Sequence, residues 1–266
     1  MIFLKLGGSL ITDKDKPDTA RAEVLSRLAR EIAEARRANP KLRLLVGHGS
    51  GSFGHVAAAR QGTHRGGQNW IGFAEVWRSA NNLNRLVIDA LVGAGLPALS
   101  FPPSASAIAR EGVATQLAHE PIRRALDVGL LPVVQGDVAF DEVQGTTILS
   151  TEAVFVYLVP RLQPERVLLA GIEPGVYRDY PRNTRLAEIV TEADVSGLAV
   201  AGSKATDVTG GMADKVRHAL AMASALPGMD VRIFSATTPG SLASTLAGDR
   251  PGTQVVATPI EGPLGK

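Results

Sequence analysis

The sequence contains no cysteine. That excludes disulfides, thiolate metal sites and a thiol nucleophile. A reducing compartment is compatible with this, and a cytoplasmic location is expected. No run of about 20 apolar residues occurs, so no membrane span or membrane partner is expected. The opening segment, Met1 to Leu10, is interrupted by Lys5 and by Gly7-Gly8, too early for the apolar region of a secretory signal. Aromatic residues are scarce, at 5% of the chain, and no basic arm interleaves with them. With 28 Lys and Arg against 26 Asp and Glu the net charge is only +2. Nucleic acid is therefore not an expected partner. A small anionic ligand is compatible, because it responds to local rather than total charge.

What is present is 45% apolar residues in a chain of 266, enough for a sizeable core. Charges of both signs are mixed along the chain, which argues against disorder. Apolar periodicity predicts strands at 2–6, 42–46, 97–101, 131–135, 166–170, 231–235 and 253–257. It predicts helices at 20–38, 71–92, 121–128, 151–161, 210–226 and from about 239, with another after His55 running to about Gln61. Residues 62–69 and 171–183 read as loops, and 139–149 as a β-hairpin. The alternation predicts an α/β fold with a largely parallel central sheet covered on both faces. One domain, 1–266, is expected, with a seam near residue 160 between two lobes.

Three glycine-rich turns follow strands or open helices: Gly7-Gly8-Ser9, Gly47-His48-Gly49-Ser50-Gly51-Ser52 and Thr209-Gly210-Gly211. In a parallel sheet such turns gather at one edge, where unpaired N–H groups and helix dipoles favour anions. Lys5, Lys14 and Lys215 lie beside them. A lysine among apolar neighbours in a strand, as at Lys5, needs a partner for its charge. None of the turns matches the P-loop or the dinucleotide fingerprint. The residues alone thus predict a phosphate-binding α/β protein and leave its substrate open. His48, His64, His119 and His218 show no metal-ligand spacing; they are expected to be structural or surface residues, and no metal site is predicted on protein side chains.

Five segments carry a resemblance. They are Lys5-Leu6-Gly7-Gly8-Ser9-Leu10-Ile11-Thr12-Asp13-Lys14, Gly47-His48-Gly49-Ser50-Gly51-Ser52-Phe53-Gly54-His55, Gln135-Gly136-Asp137-Val138, Gly175-Val176-Tyr177, and Asp207-Val208-Thr209-Gly210-Gly211-Met212 followed by Lys215. In this order, over nearly the whole chain, they resemble the isopentenyl phosphate kinases of the amino acid kinase superfamily. The resemblance implies an open αβα sandwich, a homodimer, ATP with Mg²⁺, and direct in-line transfer of the γ-phosphoryl group to isopentenyl monophosphate. It implies an acceptor-phosphate lobe over about 1–160 and a nucleotide lobe over about 161–266. Lys5 would then lie between the reacting phosphates, and Lys14 would hold the transferring group or the acceptor. Gly7, Gly8, Ser9, Gly171, Gly175, Tyr177, Gly210, Gly211 and Lys215 would surround the nucleotide. Gly8, Ser50, Gly51, Gly54 and His55 would receive the acceptor phosphate, with His55 a hydrogen-bond donor rather than a base.

The acceptor's short branched tail needs an apolar slot. Phe73, Val76, Trp77 and Leu83 on the long helix, closed by Ile148, are its candidate lining. The chain departs from the family in places. Ser150-Thr151-Glu152 stands where the family has Ser-Gly-Asp, so Glu152 would orient the lysines, with Asp137 the alternative acid. The segment from Ala170 to Tyr177 is one residue longer than its family counterpart and lacks that counterpart's aspartates, and Ser50 replaces a glycine. Two further readings stay open: a related kinase acting on another small phosphate or phosphonate, and a catalytically silent nucleotide-binding regulator on the same fold.

Overall fold

Five consecutive buried residues at the start of the chain form the strand around which the sheet is built. The computed structural model describes residues 1–53, 68–194 and 211–257. In chain order the elements are β1 (Ile2–Leu6), α1 (Gly8–Ile11), α2 (Ala22–Ala38), β2 (Leu44–His48), α3 (Trp70–Gly93), β3 (Ala98–Ser100), β4 (Ile108–Arg110), β5 (Val113–Gln116), α4 (Glu120–Asp127), β6 (Leu131–Gln135), β7 (Asp137–Asp141), β8 (Gly145–Leu149), α5 (Thr151–Leu162), β9 (Arg166–Gly171), β10 (Ile189–Val190), α6 (Gly211–Ala225), β11 (Asp230–Ser235), α7 (Ser241–Ala247) and β12 (Thr253–Val255).

Eight strands form one sheet in the order β10-β12-β11-β9-β1-β2-β6-β3. Every pairing in it is parallel except β11 with β12. Because side chains alternate across a strand, the register assigns two rows at the carboxyl ends. Val134, Gly47, Lys5, Leu169 and Ile233 stand abreast on one face; Gln135, His48, Leu6, Ala170 and Phe234 stand on the other. The first face packs under α5 and α6, the second under α2, α3 and α7, and each carries its own buried apolar cluster. This is an open αβα sandwich around a largely parallel sheet. Among the described residues no helix is long and apolar enough to cross a membrane.

The differences from expectation have local causes. The strand expected at 42–46 lies at Leu44–His48, because Leu6 and Gln135 pair with His48 and draw the ladder two residues onward. A second sheet, β5-β4-β7-β8, contains the expected hairpin together with β4 and β5, which periodicity did not reveal. Those strands are only three and four residues long. They are joined by Glu111 and Gly112, both at positive φ (51° and 81°), the geometry of a two-residue hairpin turn. The Asp141 carboxylate holds that turn and the next one, accepting from Glu111 N (3.1 Å), Gly112 N (2.7 Å), Val143 N (3.0 Å) and Gln144 N (2.9 Å). At the expected seam near residue 160, the ladder is continuous: β9 pairs directly with β1 and β11. The helix expected after His55 lies outside the described residues.

Candidate active site

The absence of a side chain at Gly47 determines where charge can gather. A Cβ there would lie 2.5 Å from Thr151 Cγ2 and 2.8 Å from Phe155 Cζ. Only glycine lets α5 seat this closely on the sheet. Ser150 caps the helix, its hydroxyl accepting from Ala153 N at 3.0 Å. Thr151 Oγ1 donates to His48 O at 2.6 Å and ties the first turn to the end of β2. Glu152 then meets Lys5, Gly47's neighbour on that face, and Lys5 Nζ donates to Glu152 Oε1. The two residues are only 8% and 6% exposed, so each is the compensation for the other's buried charge. Burial pushes the Glu152 carboxyl up. The charge and hydrogen bond of Lys5, with the charge of Lys215, outweigh it and hold the carboxyl below the ordinary glutamate range.

Lys215 reaches this pair from α6. Its Nζ lies 3.7 Å from the point a Gly171 Cβ would occupy, so the ends of β9 and the start of α6 converge on Glu152. His218, expected to be a structural or surface residue, lies one turn further along α6 in the same region. Its Nδ1 donates to Asp214 O at 2.9 Å. Burial lowers its pKa; the Glu152 carboxylate opposes that, while Lys5 and Arg217 reinforce it.

Two of the glycine turns touch. A Cβ on Gly8 would lie 2.5 Å from Gly51 N, so the backbones after β1 and β2 are in contact. Thr12, a fully buried residue that sequence reasoning passed over, bolts them together. Its hydroxyl donates to Gly8 O (2.8 Å) and accepts from Ser52 N (3.1 Å). Gly7 N continues the ladder to Ala170 O at 2.8 Å. Ser9 and Ser50 are half-buried beside this junction. Ser79 Oγ on α3 lies 2.5 Å from Phe53 O and 2.9 Å from Asp18 Oδ1, linking both turn regions to the long helix.

The remaining expected residues divide. Lys14 is exposed in the turn between α1 and α2, where the ion pair is Lys16 with Asp13 at 3.9 Å. Gly211 opens α6. Gly175 packs on Thr253, and Tyr177 lines a cavity of about 260 Å³. Gly54, His55 and Gly210 lie outside the described residues, as does His64. Phe73, Val76 and Ile148 come together with Val138 in a small cluster separate from the main core. Leu83 does not join them; it packs in the α2–α3 core, and Trp77 is 45% exposed. Phe140, not foreseen, stacks on Phe73 at 5.2 Å between centroids.

Asp137 does not hold the lysines. It accepts from Ser104 Oγ (2.6 Å), Ser104 N (3.3 Å) and Val138 N (2.9 Å), and burial raises its carboxyl above the ordinary aspartate value. His48 is buried, with Nε2 3.0 Å from Asn84 Oδ1 and Nδ1 3.2 Å from Gly49 O. Its burial lowers the imidazole pKa, as expected of a structural histidine. The arrangement is chemically an anion cradle: backbone N–H groups at two touching turns, two ammonium groups, and one carboxylate that offsets part of their positive charge.

Comparison with known proteins agrees with that reading. The model of the amino acid kinase family matches residues 1–235. The chain is 36% identical to isopentenyl phosphate kinase of Methanothermobacter thermautotrophicus, over 94% of this chain and 96% of that protein. It is 35% identical to the isopentenyl phosphate kinase of Haloferax volcanii, over 96% and 98%. A solved isopentenyl phosphate kinase structure superposes with a TM-score of 0.83 at 32% identity, covering 96% of this chain and 99% of that one.

Proposed function

The chain belongs to the amino acid kinase family, in the branch of the isopentenyl phosphate kinases, and from that premise we propose that it phosphorylates isopentenyl monophosphate with ATP to give isopentenyl diphosphate. The observation that carries the reading is the buried Lys5–Glu152 pair beside two touching glycine turns, with Lys215 converging on it. An oxygen of the acceptor phosphate forms a bond to the γ-phosphorus. The bond from that phosphorus to the β–γ bridging oxygen breaks, and ADP leaves with the electron pair. The second pKa of a phosphate monoester is about 6, so the attacking oxygen is already largely ionised at neutral pH. No strong base is required; the work is to bring two polyanions together and stabilise the transferring group.

Each residue then has a role within this proposal. Lys5 sits between the reacting phosphates, Lys215 on the nucleotide phosphates, and Lys14 on the transferring group or the acceptor. Glu152 orients Lys5. Gly7, Gly8, Ser9, Ser50 and Gly51 present backbone and hydroxyl groups to phosphate, and Phe73, Val76 and Ile148 receive the hydrocarbon tail. The acceptor is bound mainly by residues before about 160 and the nucleotide by those after. Among the described residues no group of three or more His, Asp or Glu side chains could hold a metal, and Glu152 is engaged by Lys5. Within this proposal Mg²⁺ is carried on the nucleotide's own phosphate oxygens, hard donors that suit it. The ion would neutralise charge on the phosphate oxygens; Lys5 and Lys215 supply the protein's share. A homodimer in the cytoplasm completes the proposal.

The test is an ADP-release assay with ATP and Mg²⁺ over a panel of small phosphates, phosphonates, carboxylates and nucleoside monophosphates. Isopentenyl phosphate should give the highest kcat/KM. Faster turnover of another acceptor would move the activity elsewhere in the family.

A further inference from the structure

The last strand, β12, lies beyond residues 1–235, the part matched by the family model. It nevertheless reaches back to the loop that follows β9. Thr253, its first residue, is fully buried. Its hydroxyl accepts from Val176 N at 2.8 Å and donates to Ala187 O at 2.6 Å. Those two residues are themselves paired, Ala187 N donating to Val176 O at 2.8 Å. One step outward Tyr177 bridges Leu186, and Arg178 N donates to Arg185 O at 2.8 Å. Residues 176–187 are thus a hairpin-like arm, and a single hydroxyl fastens both of its strands at the base.

The residue before the arm is shaped to admit that hydroxyl. A Cβ on Gly175 would lie 2.4 Å from Thr253 Oγ1. The segment leading to Thr253 is anchored in turn. Arg232 Nη1 donates to Arg250 O (2.9 Å) and Arg166 Nη2 to Asp249 O (2.8 Å), while Asp230 accepts from both arginines. The clip therefore stands on a fixed base.

The arm and β10 enclose the cavity of about 260 Å³. Val176 and Ala187, the two residues Thr253 holds, are among its walls, with Val190 and Tyr177; Arg178 and Asp194, an ion pair at 2.9 Å, line it as well. Walls that mix aliphatic side chains with Tyr177 and a charged pair suit a flat heteroaromatic ring, which has apolar faces and hydrogen-bonding edges. We propose that Thr253 is a positioning residue for the nucleotide base: its hydroxyl fixes the 176–187 arm and so the shape of the cavity that receives the base. The inference rests on the reading of ATP as phosphoryl donor.

Thr253→Val removes the hydroxyl, and Thr253→Ser keeps it. Steady-state kinetics with each substrate varied in turn should show Thr253→Val raising KM for ATP on the order of tenfold, as expected for lost ground-state binding. KM for isopentenyl phosphate should stay at the wild-type value, and Thr253→Ser should restore KM for ATP. A merely structural threonine would lower Tm while leaving both KM values unchanged or shifting them together, and either kinetic pattern overturns the proposal. Should Thr253→Val fail to fold, Gly175→Ala presses on the same hydroxyl from the loop side and must show the same selective rise. Tyr177→Ala separates the two levels of the argument. If it raises KM for ATP while Thr253→Val does not, the clip is wrong and the cavity assignment stands. If neither variant changes KM for ATP, the base does not use this cavity and both ideas fall.

Discussion

Replacing Glu152 by glutamine tests the centre of the proposed site, because it keeps the shape and removes the charge that faces Lys5. Both side chains are nearly inaccessible to water. Removing one partner of a buried pair costs about 3–5 kcal/mol, chiefly from the charge left uncompensated. For a chain of this size each kcal/mol moves Tm by roughly 2–4 °C, so the apo variant should melt roughly 6–20 °C below wild type. Saturating ATP should narrow that gap. The nucleotide phosphates give Lys5 a new anionic partner, and a ligand that binds more favourably to the variant stabilises it more. The pH dependence has a definite sign. The folded Glu152 pKa is held below its unfolded value, so the pair's contribution is present above the unfolded pKa and is lost as pH falls through the folded one. The glutamine variant should lack that portion of the acid sensitivity. In kinetics, kcat should fall more than either KM rises, because Lys5 loses its orientation during transfer. Differential scanning fluorimetry with and without ATP, beside steady-state assays, reads all of this. A variant with wild-type Tm and wild-type kcat would refute the claim that Glu152 holds Lys5.

Other expectations follow from single contacts. Lys215→Ala should raise KM for ATP at least tenfold while Tm stays within a few degrees of wild type, consistent with loss of a charged hydrogen bond worth about 1.5–3 kcal/mol; an unchanged KM would remove Lys215 from the nucleotide. Asp141→Asn should lower the urea midpoint at neutral pH by an amount equivalent to about 1–3 kcal/mol, since the neutral amide replaces a carboxylate that accepts four backbone N–H groups. Those bonds hold the folded Asp141 pKa down against burial. Its contribution is therefore present above the unfolded pKa and lost as pH falls through the folded one. In urea titrations the gap between wild type and variant should be full at pH 7 and narrow as pH falls through the folded Asp141 pKa, which lies below the ordinary aspartate value.

The parallel core was legible because its strands are continuous apolar runs ending in glycine, a pattern set by burial on both faces. Lys5 stood out for the same reason, as a charge within such a run. What escaped notice depends on distant partners. The strands β4 and β5 are short and are held by the Asp141 carboxylate 29 and 30 residues from the turn it binds, which periodicity cannot register. Thr12 and Thr253 read as ordinary polar residues until the backbone they bind comes into place. The helical stripe Phe73, Val76, Trp77 and Leu83 has a single period but serves three environments: slot, solvent and main core. Helical spacing gives the side of α3 and not the neighbour each residue meets, because α3 packs on two different layers.

The departure from the family at Ser150-Thr151-Glu152 has a consistent physical account. Where the family has glycine, Thr151 sits against Gly47 and donates its hydroxyl to His48 O at 2.6 Å. The start of α5 is thereby fixed to the end of β2 by a side chain, while Ser150 caps it from the preceding position. With the helix origin fixed, the acid that follows must span whatever distance is left to Lys5, and glutamate has one methylene more than aspartate for doing so. The ion pair made by Glu152 shows that the span is met. Thr151 sets the seat of the helix and Glu152 supplies the matching reach, so the charge opposite Lys5 is kept although neither residue of the family's Gly-Asp pair is present.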